Sequence, residues 1–187
     1  MACNLNNVLK GTNECKENPA GLSNYCMVVP FTSFESVEID TVGTGDNKKE
    51  INAYKINLAS GQTLTGYRID FKNQTGQVTS EDNGPGKGWT GTGTGRVEIG
   101  EDAMAIMGRT LSNMDGNFLV FFPTGNKNED GLTEWKVIGN PQGDIQWSTA
   151  ADSGQARGDD HGTTFTVTCD YMLYEVVKFF GEINQAD

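Results

Sequence analysis

Apolar residues recur at every second position in three separate segments of the chain, which is the spacing of strands with one buried side. The three sets are Tyr54, Ile56 and Leu58; Tyr67, Ile69 and Phe71; and Phe165, Val167 and Cys169. Mostly polar residues occupy the positions between them. The alternation predicts three strands, each with one face in a core.

Other stretches predict different elements. Residues 118–122 are apolar without interruption, which is typical of a strand buried on both faces. Apolar residues spaced three and four apart predict one helix from Glu101 to Met114. Aromatic and β-branched residues from position 24 to 40 predict strand, with an edge or a break at Pro30. Together the elements predict a mainly β domain, an antiparallel β-sandwich or barrel of about eight or nine strands with one flanking α-helix.

Several stretches lack this periodicity. Residues 1–22 are polar and predict an extended N-terminal arm, which leaves residues 23–187 as a single β-rich domain. Residues 124–131 predict the turn of a hairpin. The glycine-rich segment SEDNGPGKGWTGTGTG, residues 80–95, predicts a long mobile loop. It does not match a phosphate-binding motif, because Gly86-Lys87 is followed by glycine and the segment leads into a strand-like run.

The overall charge argues against several classes of function. With 25 acidic and 14 basic residues, the formal net charge is −11. Sequence-specific nucleic-acid binding is therefore not expected, since affinity for phosphates depends on clustered Lys and Arg. The start of the sequence lacks the features of a signal peptide, and no apolar run reaches the length of a membrane span. We therefore expect a protein that stays in the cytoplasm where it is made and does not enter a membrane.

The cysteines do not predict a metal or cofactor site. They are Cys3, Cys15, Cys26 and Cys169, and none belongs to a CxxC pair. A single histidine leaves too few ligands for a zinc site. Without an export signal we expect reduced thiols rather than disulfides.

The segment from residue 153 to 170 holds the side chains most often used in catalysis. Ser153 follows Asp152 and precedes His161. This order does not fit the trypsin-like proteases, and the serine lies outside the G-x-S-x-G elbow of the esterases. Cys169 shares the apolar face of its predicted strand, where a free cysteine acts as a small core residue. We therefore predict no catalytic residue and no enzyme.

Charged residues in the same segment predict contacts rather than chemistry. The acidic residues lack the EF-hand spacing that calcium sites use, and we expect Asp side chains there to bond loop amides. We predict that Arg157, Asp159 and Asp160 contact a neighbouring subunit, with Arg157 paired to a carboxylate of that subunit.

Three segments carry a resemblance to a known family. They are the N-terminal CNLNNVLKGTNECKENPAGLSNY, the strand LTEWKVIG, and SGQARGDDHGTTFTVT near the end. In these segments and in the order of its elements, the chain resembles the tail tube and related ring proteins of tailed bacteriophages. The resemblance implies a fold similar to the type VI secretion tube, with one helix on its flank, that closes into rings. The glycine-rich segment and the extra N-terminal cysteines depart from the pattern, which leaves open a long tube or a single adaptor ring.

The resemblance also implies a function and partners. The chain would be a structural virion protein, assembled in the host cytoplasm into rings, of six copies by our expectation, through which DNA passes. Other tail or connector proteins of the virion would bind it. Two alternatives remain: a carbohydrate-binding β-sandwich module with Trp89 as its sugar platform, and a capsid-decorating protein.

A DNA conduit needs a wall that does not bind phosphates, and the excess of acidic residues suits such a wall. In the segment SVEID, Glu38 and Asp40 alternate with Val37 and Ile39. We predict that Val37 and Ile39 pack inward and that Glu38 and Asp40 form an acidic face along the conduit. The alternative is that the net charge only keeps the surface solvated.

Overall fold

In the computed structural model, the described part of the chain forms twelve strands in two sheets that share one core. The structure describes residues 22–42, 49–97, 106, 108–111, 117–140, 145–152, 162–172, 174–175 and 177–186. The strands are β1 (Tyr25–Pro30), β2 (Ser36–Val42), β3 (Lys49–Asn57), β4 (Thr65–Asp70), β5 (Gln77–Asp82), β6 (Trp89–Val97), β7 (Phe118–Lys127), β8 (Thr133–Ile138), β9 (Ile145–Asp152), β10 (Gly162–Met172), β11 (Val177–Phe180) and β12 (Asn184–Gln185).

One sheet has eight strands in the order β12-β4-β1-β7-β8-β11-β3-β2, and the other has four in the order β5-β6-β10-β9. All pairs are antiparallel except β11 with β3 and β12 with β4. The prediction of a mainly β, sandwich-like fold with a helix is confirmed. The described strands number twelve instead of eight or nine, two pairs are parallel, and neither sheet closes into a barrel within the described residues.

The first strand breaks where the sequence predicts it. β1 ends at Pro30, and Phe31–Ser33 form a turn of 3-10 helix before β2 begins. Just before β1, Leu22 makes an antiparallel bridge with Thr124 of β7. The predicted arm otherwise lies outside the described residues.

β7 lies at the centre of the core and pairs with β1 on one side and β8 on the other. Its residues 118–122 are almost completely buried, as predicted for a strand covered on both faces. Phe121 contacts the rings of Trp135 and Phe179, with centroids 6.4 and 5.5 Å away. Phe122 lies on the opposite face of β7 and packs toward β6 of the four-stranded sheet. Phe122 therefore packs between the two sheets, while Phe121 packs against rings of its own sheet.

The hairpin that follows is confirmed, because β7 and β8 pair as antiparallel neighbours. Its turn is shorter than the predicted 124–131, since β7 continues to Lys127. The turn begins at Asn128, whose side-chain oxygen accepts a hydrogen bond from the N–H of Leu132 at 2.8 Å.

The prediction of a long loop over residues 80–95 is wrong. β5 continues to Asp82 and β6 begins at Trp89, so only residues 83–88 form a turn. The polar, glycine-rich composition concealed a strand because three consecutive core-facing positions of β6 are glycines.

Gly91, Gly93 and Gly95 lie on the buried side of β6. A Cβ added at Gly93 would lie 2.6 Å from the ring of Phe122, and one at Gly95 would lie 2.6 Å from the ring of Phe165. The glycines therefore leave the space that aromatic rings from β7 and β10 fill.

Residues 106 and 108–111 are helical, and Leu111 is buried in the core. The remainder of the predicted helix lies outside the described residues.

In β4, Ile69 is buried as predicted but Tyr67 is 57% exposed. Gly66, on the opposite face of β4, is buried, and a Cβ there would lie 2.8 Å from Val29 Cγ2.

Candidate assembly surface

The four-stranded sheet has two open edges, β5 on one side and β9 on the other. Within the described ranges neither strand pairs with anything beyond β6 or β10. Neither strand contains Pro, Lys or Arg, residues by which proteins commonly prevent pairing at sheet edges. The backbone groups on the outer side of β5 and β9 are therefore suited to pair with another strand.

The eight-stranded sheet ends differently. Its edge strand β2 carries the acidic side chains of Glu38 and Asp40, and its pairing with β3 shifts in register between Ile39 and Thr41. The opposite edge, β12, has two residues. Charge, a bulge and a very short strand are known protections against edge pairing. β5 and β9 carry acidic residues too, Glu81, Asp82 and Asp152, but only at one end of each strand, whereas β2 has them in mid-strand beside a bulge. The uncharged lengths of β5 and β9 are therefore better suited to assembly than β2 or β12.

The face of the four-stranded sheet that points away from the core carries a regular array of uncharged polar side chains, which we call the threonine face. Register places its residues in two rows that each cross all four strands. The rows are Gln77, Thr94, Thr166 and Ser148; and Thr79, Thr92, Thr168 and Gln146. β-branched threonine suits strands, and cross-strand threonine pairs stabilise them. The two rows together form a hydroxyl-rich surface with no charge.

Charged groups lie toward the ends of this array. At one end, Arg96 Nη2 is 3.5 Å from Asp152 Oδ2, a contact between β6 and β9 across the intervening β10. At the other end, the Thr90 hydroxyl donates to Asp170 Oδ1 at 2.7 Å, and Asn83 Nδ2 donates to Thr90 Oγ1 at 3.0 Å. These contacts connect β6 with β9, β10 and the turn, and so hold the sheet in one shape.

Glu38 and Asp40 lie on the other sheet. Glu38 is exposed opposite Lys55 of β3, and Asp40 accepts a hydrogen bond from the N–H of Thr41 at 2.8 Å. Val37 and Ile39 pack against the core, so the predicted alternation along this strand is confirmed. The place of Glu38 and Asp40 on a conduit wall stays a prediction.

The other candidate residues divide between the described and undescribed parts of the chain. Arg157, Asp159, Asp160, Ser153 and His161 lie outside the described residues. Cys169 is fully buried in β10, as predicted for a core position. Trp89, the candidate sugar platform, is half-buried at the start of β6 and packs against the core. Part of its ring is therefore already covered by the protein.

Two buried titratable groups are held neutral by their surroundings. Burial raises the pKa of the Cys26 thiol, and the nearby Asp70 carboxylate raises it further. Burial also raises the pKa of Tyr54, whose hydroxyl donates to the Gly139 carbonyl at 2.9 Å. Because the thiolate is the reactive form of cysteine, Cys26 is placed as a core residue and not as a nucleophile.

Within the described part of the chain, no three His, Cys, Asp or Glu side chains are grouped to hold a metal ion. Nor does that part contain a helix with the length and apolar character needed to cross a membrane.

Sequence reasoning missed two features of this surface. The first is the strand β6, although the period-two alternation in TGTGTG was a usable signal for it. The second is a bulge in β10, where the register against β6 shifts between Cys169 and Met172 and Tyr171 has φ 61°. A bulge of this kind leaves no clear trace in composition or periodicity.

Comparison with known proteins adds no relative: no protein-family model, no curated protein and no solved structure matches this chain.

Proposed function

We propose that this protein is a structural subunit that assembles into closed rings through the edges of its four-stranded sheet, and that the rings form part of a bacteriophage tail through which DNA passes. The observation that carries the proposal is the contrast between the two sheets. The edges β5 and β9 pair without a register shift and have acidic residues only at one end, whereas β2 has acidic residues in mid-strand beside a bulge and β12 is very short.

The strand directions support ring closure. The four strands alternate in direction, so β5 and β9 run opposite to each other. When a second copy is placed beside the first by rotation about an axis along the strands, its β5 lies antiparallel to the β9 of the first. Two different edges meet at each contact, which makes the contact heterologous, and repeated rotation closes such contacts into a ring.

In the proposed ring the two sheets would lie at different distances from the axis. The eight-stranded sheet packs on one face of the four-stranded sheet, and a layer of that size fits only on the outside of a closed ring. The threonine face then lines the lumen. Six copies with four strands each would build a wall of roughly 24 strands, and barrels of about 16 strands or more leave an aqueous channel.

A threonine wall suits the passage of DNA. Proteins that hold DNA neutralise its phosphates with Lys and Arg and release counterions. The two central rows offer hydroxyl and amide groups but no cation. Arg96, beside them, has its guanidinium near Asp152. A polyanion would meet a hydrated, uncharged surface and slide along it.

This arrangement differs from an acidic lumen built on β2. Ring closure through β5 and β9 puts Glu38 and Asp40 on the outer sheet, whereas the conduit prediction puts them on the inner wall. Glu38→Cys in assembled rings would separate the two, because only an outer-wall thiol should react with a maleimide that carries a bulky polymer.

A pair of proline variants tests the edge contact. Neighbouring residues in an edge strand point their N–H groups in opposite directions, one toward the sheet and one outward. Of Ala150→Pro and Ala151→Pro in β9, one therefore removes a bond to β10 and the other removes only an outward N–H. We expect the variant that loses only an outward N–H to unfold as cooperatively as the wild type. It should nevertheless remain monomeric in size-exclusion chromatography with mass detection. Rings of normal size from both folded variants would contradict the proposal.

A further inference from the structure

Tyr171 projects from the bulge near the end of β10. Its backbone is left-handed, with φ 61°, a conformation that costs a non-glycine residue roughly 1–2 kcal/mol, and its side chain is 66% exposed. The turn at residues 83–88 lies directly against the bulge, since a Cβ at Gly88 would lie 2.7 Å from the Met172 carbonyl oxygen. The fold therefore holds an exposed aromatic ring in a strained position, and strain of this kind is concentrated at functional sites.

A cavity of about 340 Å³ lies beside β5, toward the opposite end of the same sheet. Its lining includes Gly76, Gln77 and Val78 from the β5 side, and Asn126, Glu134 and Lys136 from β7 and β8. The lining joins an apolar side chain, a carboxylate and an ammonium group. This combination suits a tyrosine, whose ring is apolar and whose hydroxyl needs a polar partner.

The ring and the cavity cannot meet within one molecule. Register puts Asp82 and Trp89 at the end of the sheet near Tyr171, and Gln77 at the end near the cavity. β5 separates them by about 17 Å, at 3.4 Å per residue. A contact between them requires a second copy displaced along the strands.

We propose that Tyr171 of one copy inserts into the cavity beside β5 of a second copy and joins successive rings along the tail axis. The inference rests on the proposed function, because it assumes rings whose axis follows the strands. A projection on one end that fits a pocket on the other is heterologous and, without rotation to close it, builds an open stack. The protein would then form a tube and not a single ring.

Two matched variants test the contact. Tyr171→Asn removes the ring, while asparagine tolerates the left-handed backbone and so leaves the bulge in place. Tyr67→Asn makes the same change at a tyrosine that is 57% exposed on β4 of the other sheet. We expect Tyr171→Asn to form single rings of normal mass but to need at least about tenfold more protein to stack, as for loss of an interface hot spot. Tyr67→Asn should stack like the wild type.

Cysteine cross-linking tests the geometry. In a background with Cys3→Ser and Cys15→Ser, Tyr171→Cys combined with Asn126→Cys should give disulfide-linked ladders of chains under mild oxidation. A disulfide needs Cα atoms within about 7 Å, so a bond between these positions joins two copies. Tyr67→Cys with Asn126→Cys is the control and should give none.

The outcomes separate the two proposals. A wild-type protein that never forms rings refutes the proposed function. Rings that form but do not stack at any concentration, or that stack equally well with Tyr171→Asn, refute the tyrosine contact alone. Equal cross-linking in the two cysteine pairs also refutes it.

Discussion

Replacing Gly93 with alanine should destabilise the protein, although alanine is ordinarily the better residue in a strand. In a strand interior, glycine is worse than alanine by roughly 0.5–1 kcal/mol. At Gly93, however, the new Cβ would lie 2.6 Å from the Phe122 ring and 3.0 Å from Val167 Cγ1. Both neighbours are fully buried, and overpacking of a core costs about 1–3 kcal/mol. We expect a net loss of roughly 1–2 kcal/mol of unfolding free energy.

Urea denaturation measures this loss, with the same substitution at Gly108 as the control. Gly108 is helical, and a Cβ there would meet nothing closer than 3.6 Å, so Gly108→Ala should stabilise the protein by up to about 1 kcal/mol. Adding Phe122→Leu to Gly93→Ala should recover at least about 0.5 kcal/mol beyond additivity, because the two side chains share one space. If Gly93→Ala were as stabilising as Gly108→Ala, the account of β6 as a glycine strand filled by rings from β7 and β10 would be refuted.

Three further outcomes are expected. Phe165→Ala should lower the free energy of unfolding, measured by urea denaturation, by about 3–5 kcal/mol, because the buried Phe165 ring stacks on Trp147 with centroids 4.9 Å apart. A loss below about 1 kcal/mol would contradict the assignment of Phe165 to the core. The free energy of unfolding should fall as pH rises above about 8.5, because the Cys26 thiol then ionises in the unfolded chain but stays neutral in the folded one, where its pKa is raised. The loss for this group is roughly 1.4 kcal/mol per pH unit. An equally steep fall in the Cys26→Ala variant would refute this cause. In assembled rings, Thr166→Cys should react with a small maleimide but not with one carrying a bulky polymer, and equal reaction with both would place the threonine face outside the lumen.

Strands whose inward side chains are large could be predicted from the sequence. Phe165, Val167 and Cys169 are buried in β10, and residues 118–122 of β7 are buried on both faces. In each case the side chains that pack the core belong to the strand itself. Local periodicity then reports directly on burial.

A strand whose core face is filled by side chains from other strands could not be predicted in this way. β6 contributes glycines to the core, and the rings that occupy its place come from Phe122 and Phe165, far along the chain. Tyr67 shares a face of β4 with the buried Ile69 but is itself exposed. Such pairings are tertiary, so a local alternation can indicate a strand but does not show which residues elsewhere fill its core face.

The candidate surface was predicted less well than the fold. Self-assembly was expected from the resemblance, but which edges are suited to it depends on strand order. That order puts β5 and β9 at the ends of one sheet, although some 60 residues separate them along the chain. The predicted contacts of Arg157, Asp159 and Asp160 stay predictions.

The most direct test of the account is the mass of the purified protein in solution over a wide concentration range, followed by electron microscopy of the largest species. The account predicts closed rings, six-fold by our expectation, in which β9 of each subunit lies antiparallel to β5 of the next and the threonine face lines the lumen. A chain that remains monomeric at every concentration, or rings whose subunits meet through β2 or β12, would contradict it.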